Sequence, residues 1–148
     1  MTLLQAALSQ YGVSEIKGQE DNPAIIKYFE DCGWNGKQLK DETAWCSCFL
    51  NWCALEAGVE RSMALDARSW LKVGKIIDNP VPGDVVIFWR ISKNNNWQGH
   101  VGLFCRKQGD SIFTLGGNQG IGQVNIMPYQ TCGRTMGLLG FRRLNSYL

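Results

Sequence analysis

Histidine is scarce in this sequence: its 148 residues include one imidazole side chain, that of His100. Any imidazole base must therefore be His100, because no second histidine can substitute for it. Neither sign of charge predominates, since 15 basic and 13 acidic residues give a net charge of +2. No run of lysine and arginine marks a phosphate-binding stripe, so we expect no nucleic-acid partner.

Long apolar segments are also absent. No stretch approaches the ~20 apolar residues that cross a bilayer, and we expect no membrane insertion. The first ten residues lack a basic segment, and Gln5 and Ser9 interrupt their apolar side chains. This pattern is not that of a signal peptide. We therefore expect a protein made in the cytoplasm, which another system must deliver if it acts outside the cell.

The composition is that of an ordinary globular protein. Apolar residues make up 45% and charged residues 19% of the chain, and this length is enough for a proper core. We expect residues 1–148 to form a single domain. Six cysteines follow no spacing typical of small secreted domains. Cys48 and Cys53 are expected to be small buried hydrophobes, and the sequence does not select a disulfide pairing.

Local patterns predict helices in the first half of the chain and strands in the second. Glycine, proline and cap residues bound helices at 3–11, 23–32, 45–57 and 64–71. Short apolar runs between turn residues predict strands at 85–89, 100–105, 111–115, 124–126 and 137–143, with a glycine-rich corner at 116–120. Helices followed by a mostly antiparallel sheet are typical of the α+β class.

Cys46 is the candidate nucleophile, at the predicted start of the third helix, which Thr43 can cap. Free backbone N–H groups and the helix dipole stabilise a thiolate there, lowering the thiol pKa from ~8.5. The same N–H groups can bind a developing oxyanion. Asp41 and Glu42 lie just upstream and would raise the pKa. The alternative is that Cys46 is a core residue on the apolar face of the helix.

His100 is the candidate base, 54 residues after Cys46 at the start of a predicted strand. An imidazole base needs an orienting partner on its second ring nitrogen. Asn118 follows at the end of the next strand and is the preferred partner, with Gln119 as the alternative. A plain turn accounts for the same glycine-rich segment, so both interpretations stay open.

A zinc site is a competing use of the cysteines. The spacing C-x-C-x4-C on one helix points adjacent side chains apart, whereas structural zinc sites prefer C-x2-C pairs. We therefore expect no metal ion and no cofactor.

Several segments together resemble a known family. They are the helix start at 41–46, Pro82-Gly83-Asp84 before a strand, Gly99-His100-Val101 on the next strand, and 115–119. Over nearly the whole chain they resemble the cysteine peptidoglycan hydrolases of the NlpC and CHAP type, above all small single-domain phage lysins and secreted antibacterial effectors. The resemblance implies a papain-like α+β fold, with the nucleophile at a helix N-terminus packed on a mostly antiparallel sheet.

The resemblance also implies a reaction. Cys46 attacks an amide carbonyl of the peptidoglycan peptide, His100 transfers the proton, and the third role falls to Asn118 or Gln119. Lacking a histidine at that third position, the chain departs from the NlpC pattern and leans toward the CHAP one. An endopeptidase and an N-acetylmuramoyl-L-alanine amidase use the same dyad. A non-catalytic peptidoglycan-binding module and a transglutaminase-like acyltransferase are the alternatives.

Substrate contacts are expected from aromatic residues lining a groove, arginines for a stem carboxylate, and acids for a substrate amine. The candidates are, in that order, Trp45, Trp89 and Trp97; Arg68 and Arg90; and Glu15 and Asp41. The expected partner is bacterial peptidoglycan, on which a monomer acts in the periplasm or outside the cell. Phage release or a secretion machine would deliver it, and in the second case the producing cell would need an immunity protein.

Overall fold

The computed structural model describes residues 1–16, 21–36, 45–95 and 97–147. Within these ranges the helices precede the sheet in the chain. The helices are α1 (Leu3–Leu8), α2 (Pro23–Asp31), α3 (Cys46–Ala57) and a 3₁₀-helix (Ala67–Lys72). The strands are β1 (Lys75–Ile77), β2 (Val85–Arg90), β3 (Gly99–Gln108), β4 (Ser111–Gln119), β5 (Gln123–Gln130) and β6 (Met136–Arg143).

The six strands form one sheet in the order β1-β6-β2-β3-β4-β5. Every neighbouring pair is antiparallel, which confirms the predicted α+β class. β2 and β3 lie at the centre of the sheet, and Phe88 pairs with His100 in their register. β1 was not predicted, because it has three residues and two of them are exposed.

The predicted helix ends agree best where a cap defines them. Asn22 caps α2 by accepting a hydrogen bond from the Ala24 N–H, and Pro23 occupies the first turn. α1 is shorter than the predicted 3–11. After Leu8 the chain continues in a tighter turn, and Gly12 then donates to the Val124 carbonyl of β5. None of the helices in the described ranges is long and apolar enough to cross a membrane.

α3 is buried on nearly all sides, whereas its sequence predicted one apolar face. All residues from Cys46 to Ala54 are buried. α1 and α2 pack on this helix from one side, and β3 and β4 pack on it from the other. A helix that is covered all round is typical of the centre of a fold.

Two buried polar side chains of α3 hold the segment that follows it. Ser47 Oγ donates to the Ala64 carbonyl at 2.7 Å and accepts from the Trp70 indole N–H at 2.9 Å. Asn51 accepts from the Met63 N–H at 2.9 Å. These bonds hold the segment leading into the 3₁₀-helix against α3.

The Pro-Gly-Asp motif has a structural role in the sheet. The Asp84 carboxylate accepts from the Val81 N–H at 2.8 Å and from two guanidinium nitrogens of Arg143, at 2.9 and 2.8 Å. It therefore ties the start of β2 to the end of β6.

We expect Ser47→Ala to lower the free energy of unfolding by about 1–3 kcal/mol, because the buried Trp70 N–H loses its acceptor. Denaturant titration would measure the loss. Ser111→Ala is the matched control, since its hydroxyl accepts an exposed bond from Gln130 and should cost less than about 0.5 kcal/mol. Equal stability of the two variants would contradict a structural role for the Ser47 hydroxyl.

Candidate active site

Cys46 is the first residue of α3 and lines a surface cleft of about 260 Å³. Its side chain is 7% exposed. The other residues that line this cleft are Leu65, Asp66, Ala67, Arg90, Ile91, Trp97, Gln98 and Gly99. The cleft therefore lies between the segment entering the 3₁₀-helix and the connection from β2 to β3.

The surroundings of the Cys46 thiol act on its pKa in two opposite directions. Burial raises the pKa, while hydrogen bonding from the backbone of Val101 and Ser47, and the positive charge of Arg90, lower it. Burial prevails, so the pKa lies above its ordinary value. The backbone at the helix N-terminus lowers the pKa, as expected, but burial raises it more, and the resting group is a neutral thiol. Asp41, Glu42 and Thr43 lie outside the described residues.

Trp45 occupies the N-cap position of α3, and its side chain makes no capping hydrogen bond. The first N–H groups of a helix have no partner within the helix. Those of Cys46 and Ser47 act on the sulfur instead. The same end of the helix can stabilise negative charge on sulfur or on a neighbouring oxygen.

Gly117 of β4 allows the start of α3 to pack directly against the sheet. A Cβ on Gly117 would lie 2.6 Å from the Trp45 ring and 2.8 Å from the Phe49 Cβ. A side chain at this position of β4 would push the start of α3 outward. The nucleophile's distance from the sheet thus depends on Gly117.

His100 lies near the start of β3, 5% exposed, with its Nε2 2.8 Å from Gln119 Oε1. The Gln119 amide nitrogen donates to the Thr114 carbonyl at 3.0 Å and to the Asn125 carbonyl at 2.9 Å. Because the nitrogen faces these acceptors, Oε1 faces the imidazole and accepts from an Nε2–H group. The lone pair of neutral His100 is then on Nδ1.

Gln119, and not the preferred Asn118, contacts the imidazole. The segment predicted as a corner continues β4 to Gln119, with a shift of register between Gly116 and Gln119. Asn118 has a left-handed backbone with φ of 58°. Such bulges redirect side chains in strands. Sequence spacing does not reveal a bulge, which explains why the two neighbours were ranked in the wrong order.

Burial lowers the pKa of His100 from 6.5 to about 4; the hydrogen bond to Gln119 opposes this effect, and the charge of Arg90 adds to it. Imidazole and thiol are therefore both uncharged at neutral pH. The backbone of Val101, the residue after His100, bonds to the Cys46 sulfur. Cys46 therefore lies against the part of β3 that carries His100.

Tyr129 of β5 also belongs to this site, although it was not among the predicted site residues. Its ring centroid lies 4.9 Å from that of His100 and 5.4 Å from that of Phe88. Burial raises the pKa of Tyr129, and Cys46 would raise it further in its thiolate form. The ring covers one side of the imidazole. No local motif marks Tyr129, because the pairing of β4 with β5 brings it there.

Two predicted substrate contacts are internal contacts instead. Trp45 is fully buried, and its indole N–H donates to Glu15 Oε1 at 2.8 Å. The Trp45 ring therefore belongs to the core and does not line a groove. Glu15 holds this ring, which corrects its predicted role with a substrate amine. Asp41, the other predicted acid, lies outside the described residues.

Arg68 and Trp97 take different positions around the cleft. Arg68 donates to three backbone carbonyls of the β2–β3 connection, those of Gln98 at 2.7 Å, Ser92 at 2.8 Å and Lys93 at 3.1 Å. It therefore fixes this connection, where a substrate carboxylate contact was predicted. Trp97 is 62% exposed and lines the cleft.

The remaining cysteines lie apart from this chemistry. Cys48 and Cys53 are fully buried in the core, which confirms their predicted burial, and all six cysteines are free thiols. In the described part of the chain, no three His, Cys, Asp or Glu side chains converge so as to hold a metal ion.

The family model for the CHAP domain matches residues 38–118, which include Cys46 and His100. The chain therefore belongs to the CHAP domain family, as its resemblance to the NlpC and CHAP hydrolases predicted. Membership of this family supports peptidoglycan hydrolysis as the general class of activity.

A solved structure from Staphylococcus aureus, of a protein described as similar to a lipoprotein of the NLP/P60 family, has a TM-score of 0.52 and 17% identity. The match covers 96% of this chain and 40% of that one, so this chain spans less than half of its neighbour's length. At this identity the likeness concerns the fold, and it confirms the papain-like architecture. No curated protein matches the sequence.

We expect NMR to show the His100 tautomer directly, because the sole imidazole gives one set of ring nitrogen signals. At neutral pH, long-range ¹H–¹⁵N spectra should show a protonated Nε2 and a bare Nδ1. Gln119→Ala should mix the tautomers, while Gln108→Ala, on the β3–β4 hairpin, should leave them unchanged. A protonated Nδ1 in the wild-type protein would contradict the hydrogen-bond assignment.

Stability should decrease as the pH falls from 6.5 toward 4. In this window an unfolded imidazole binds a proton and the folded one, with its pKa of about 4, does not. The loss attributable to His100 should reach about 3 kcal/mol. The measurement compares the free energy of unfolding of wild type and His100→Gln across this range. Parallel curves for the two proteins would show that His100 has an ordinary pKa.

Proposed function

We propose that residues 1–148 form one cysteine hydrolase domain that cleaves an amide bond of the peptidoglycan peptide. Cys46 is the nucleophile, His100 the general base and Gln119 the residue that orients His100. The observation that carries the proposal is the bond from the backbone of Val101 to the sulfur of Cys46, a thiol at the start of α3 that lines an open cleft. Val101 directly follows His100, whose imidazole is held by Gln119. Family membership supports the choice of peptidoglycan.

The acylation step begins with a neutral pair. His100 Nδ1 takes the thiol proton as sulfur attacks the substrate carbonyl carbon, which gives a tetrahedral intermediate with a negative oxygen. Backbone N–H groups at the start of α3 stabilise this charge. The imidazolium then gives its proton to the amide nitrogen, the C–N bond breaks, and an amine leaves a thioester on Cys46.

The deacylation step repeats this sequence with water. His100 takes a proton from water as the oxygen attacks the thioester carbon. The second tetrahedral intermediate expels the sulfur, which regains a proton from the imidazolium. The products are a peptide carboxylate and the free enzyme. Gln119 accepts from Nε2–H in both steps and keeps Nδ1 available.

The position of the cut bond distinguishes two forms of this proposal. An endopeptidase would cleave within the stem or bridge, and an N-acetylmuramoyl-L-alanine amidase would cleave between sugar and peptide. The same dyad serves both reactions. A non-catalytic wall-binding module would have no need of the Gln119–His100 bond, and a transglutaminase-like acyltransferase would pass the acyl group to an amine instead of water.

The cellular setting follows from the proposed substrate. The protein would act as a monomer on the wall, in the periplasm or outside the cell, after phage release or delivery by a secretion machine. An immunity protein in a producing cell would act by covering the cleft at Cys46.

We expect Cys46→Ala to abolish the release of muropeptides from purified peptidoglycan while leaving the fold intact, because the change removes the sulfur and little volume. Mass spectrometry of digested walls should show new free amino groups with the wild-type protein. Cys48→Ala is the matched control; it should lose stability through a buried cavity, by about 1–3 kcal/mol, and retain turnover.

Three results would count against the proposal. Equal lysis by wild type and Cys46→Ala would exclude Cys46 as the nucleophile. New cross-links without new amino groups would indicate acyl transfer. Unchanged walls after incubation with folded wild-type protein would indicate a binding module.

A further inference from the structure

Two charged side chains in the cleft have no protein partner. Arg90 and Asp66 both line it and both are exposed. Neither side chain forms a hydrogen bond or an ion pair with another residue of the described ranges. Asp66 occupies the N-cap of the 3₁₀-helix without using its carboxylate as a cap. Each charge is therefore available to a ligand.

The contrast with Arg68 shows that Arg90 is the available arginine. Arg68 uses its three guanidinium nitrogens on backbone carbonyls of the β2–β3 connection. Arg90 acts instead on the reacting groups, since its charge lowers the pKa of both Cys46 and His100. Arg90 and Cys46 line the same cleft, so Arg90 lies beside the place where the proposed scissile amide would bind.

Apolar side chains surround the two charges. Leu65, Ile91 and Trp97 contribute to the same lining, and the last two are each 62% exposed. Apolar surroundings weaken the screening of a charge by water and so strengthen its attraction for an opposite charge. Neutral ligands would leave both charges without partners, which disfavours their binding.

We propose that the cleft selects peptides that carry a free carboxylate and a free ammonium group close to the scissile amide. Arg90 binds the carboxylate and Asp66 binds the ammonium group. This inference rests on the proposed hydrolase function and specifies its substrate class: an unamidated stem peptide with a diamino acid. Of the two arginines predicted for the carboxylate it selects Arg90 over Arg68, and it assigns the ammonium contact to Asp66 and not to Glu15.

The test measures binding to the Cys46→Ala protein, so that cleavage does not interfere. The probes are four versions of N-acetyl-L-Ala–γ-D-Glu–L-Lys-amide, with the Glu carboxylate free or amidated and the Lys amine free or acetylated. Calorimetry should show about tenfold weaker binding when either group is blocked, as expected for a lost charged hydrogen bond.

Two further variants, each made in the Cys46→Ala protein, assign the charges. Arg90→Gln should bind the carboxylate and carboxamide peptides equally and keep its preference for the free amine. Asp66→Asn should become indifferent to acetylation and keep its preference for the carboxylate. Lys107→Gln and Asp110→Asn, which remove equal charges on the β3–β4 hairpin, should retain both preferences.

The outcomes separate this inference from the proposed function. Equal affinity for the four peptides, including a lack of measurable binding to all of them, would overturn the charge selection. The same conclusion would follow if Arg90→Gln and Asp66→Asn kept both preferences. Wall digestion by the Cys46-intact protein tests hydrolysis independently, so either proposal can fail while the other stands.

Discussion

The hydrogen bond between Gln119 and His100 is the constraint on which the site depends. The Gln119 amide cannot rotate without losing its bonds to the Thr114 and Asn125 carbonyls. Its oxygen therefore stays on the imidazole, and Nδ1 stays unprotonated. A buried, neutral base of defined tautomer results. The bulge near the end of β4 directs the Gln119 side chain toward His100.

The parts that the sequence predicts are those specified by local chemistry. Cap residues and glycines mark the helix ends. The α+β order follows because helical patterns occur up to residue 71 and strand patterns from residue 85 onward. Cys46 and His100 could be singled out because a thiol at a helix start and a sole imidazole are visible as residues. The preference for Gln119 over Asn118, the place of Tyr129 and the burial of Trp45 could not be predicted, because they depend on a bulge, a strand register and a helix contact.

Charged residues show this limit most clearly. Glu15, Arg68 and Arg90 look alike as candidates for substrate binding in the sequence. In the structure, Glu15 holds the Trp45 indole, and Arg68 holds the β2–β3 connection. Arg90 has neither task. A charged side chain is available to a ligand only when no other part of the fold pairs with it. Such pairing depends on the tertiary structure and is not visible in the sequence.

The raised pKa of Cys46 also affects how the protein survives before it meets a substrate. Peroxides and disulfides react with thiolates far faster than with thiols. A thiol that burial keeps protonated is therefore less exposed to oxidation. In the proposed mechanism Cys46 becomes reactive when a substrate fills the cleft and His100 removes the thiol proton, so reactivity and the presence of a target would coincide.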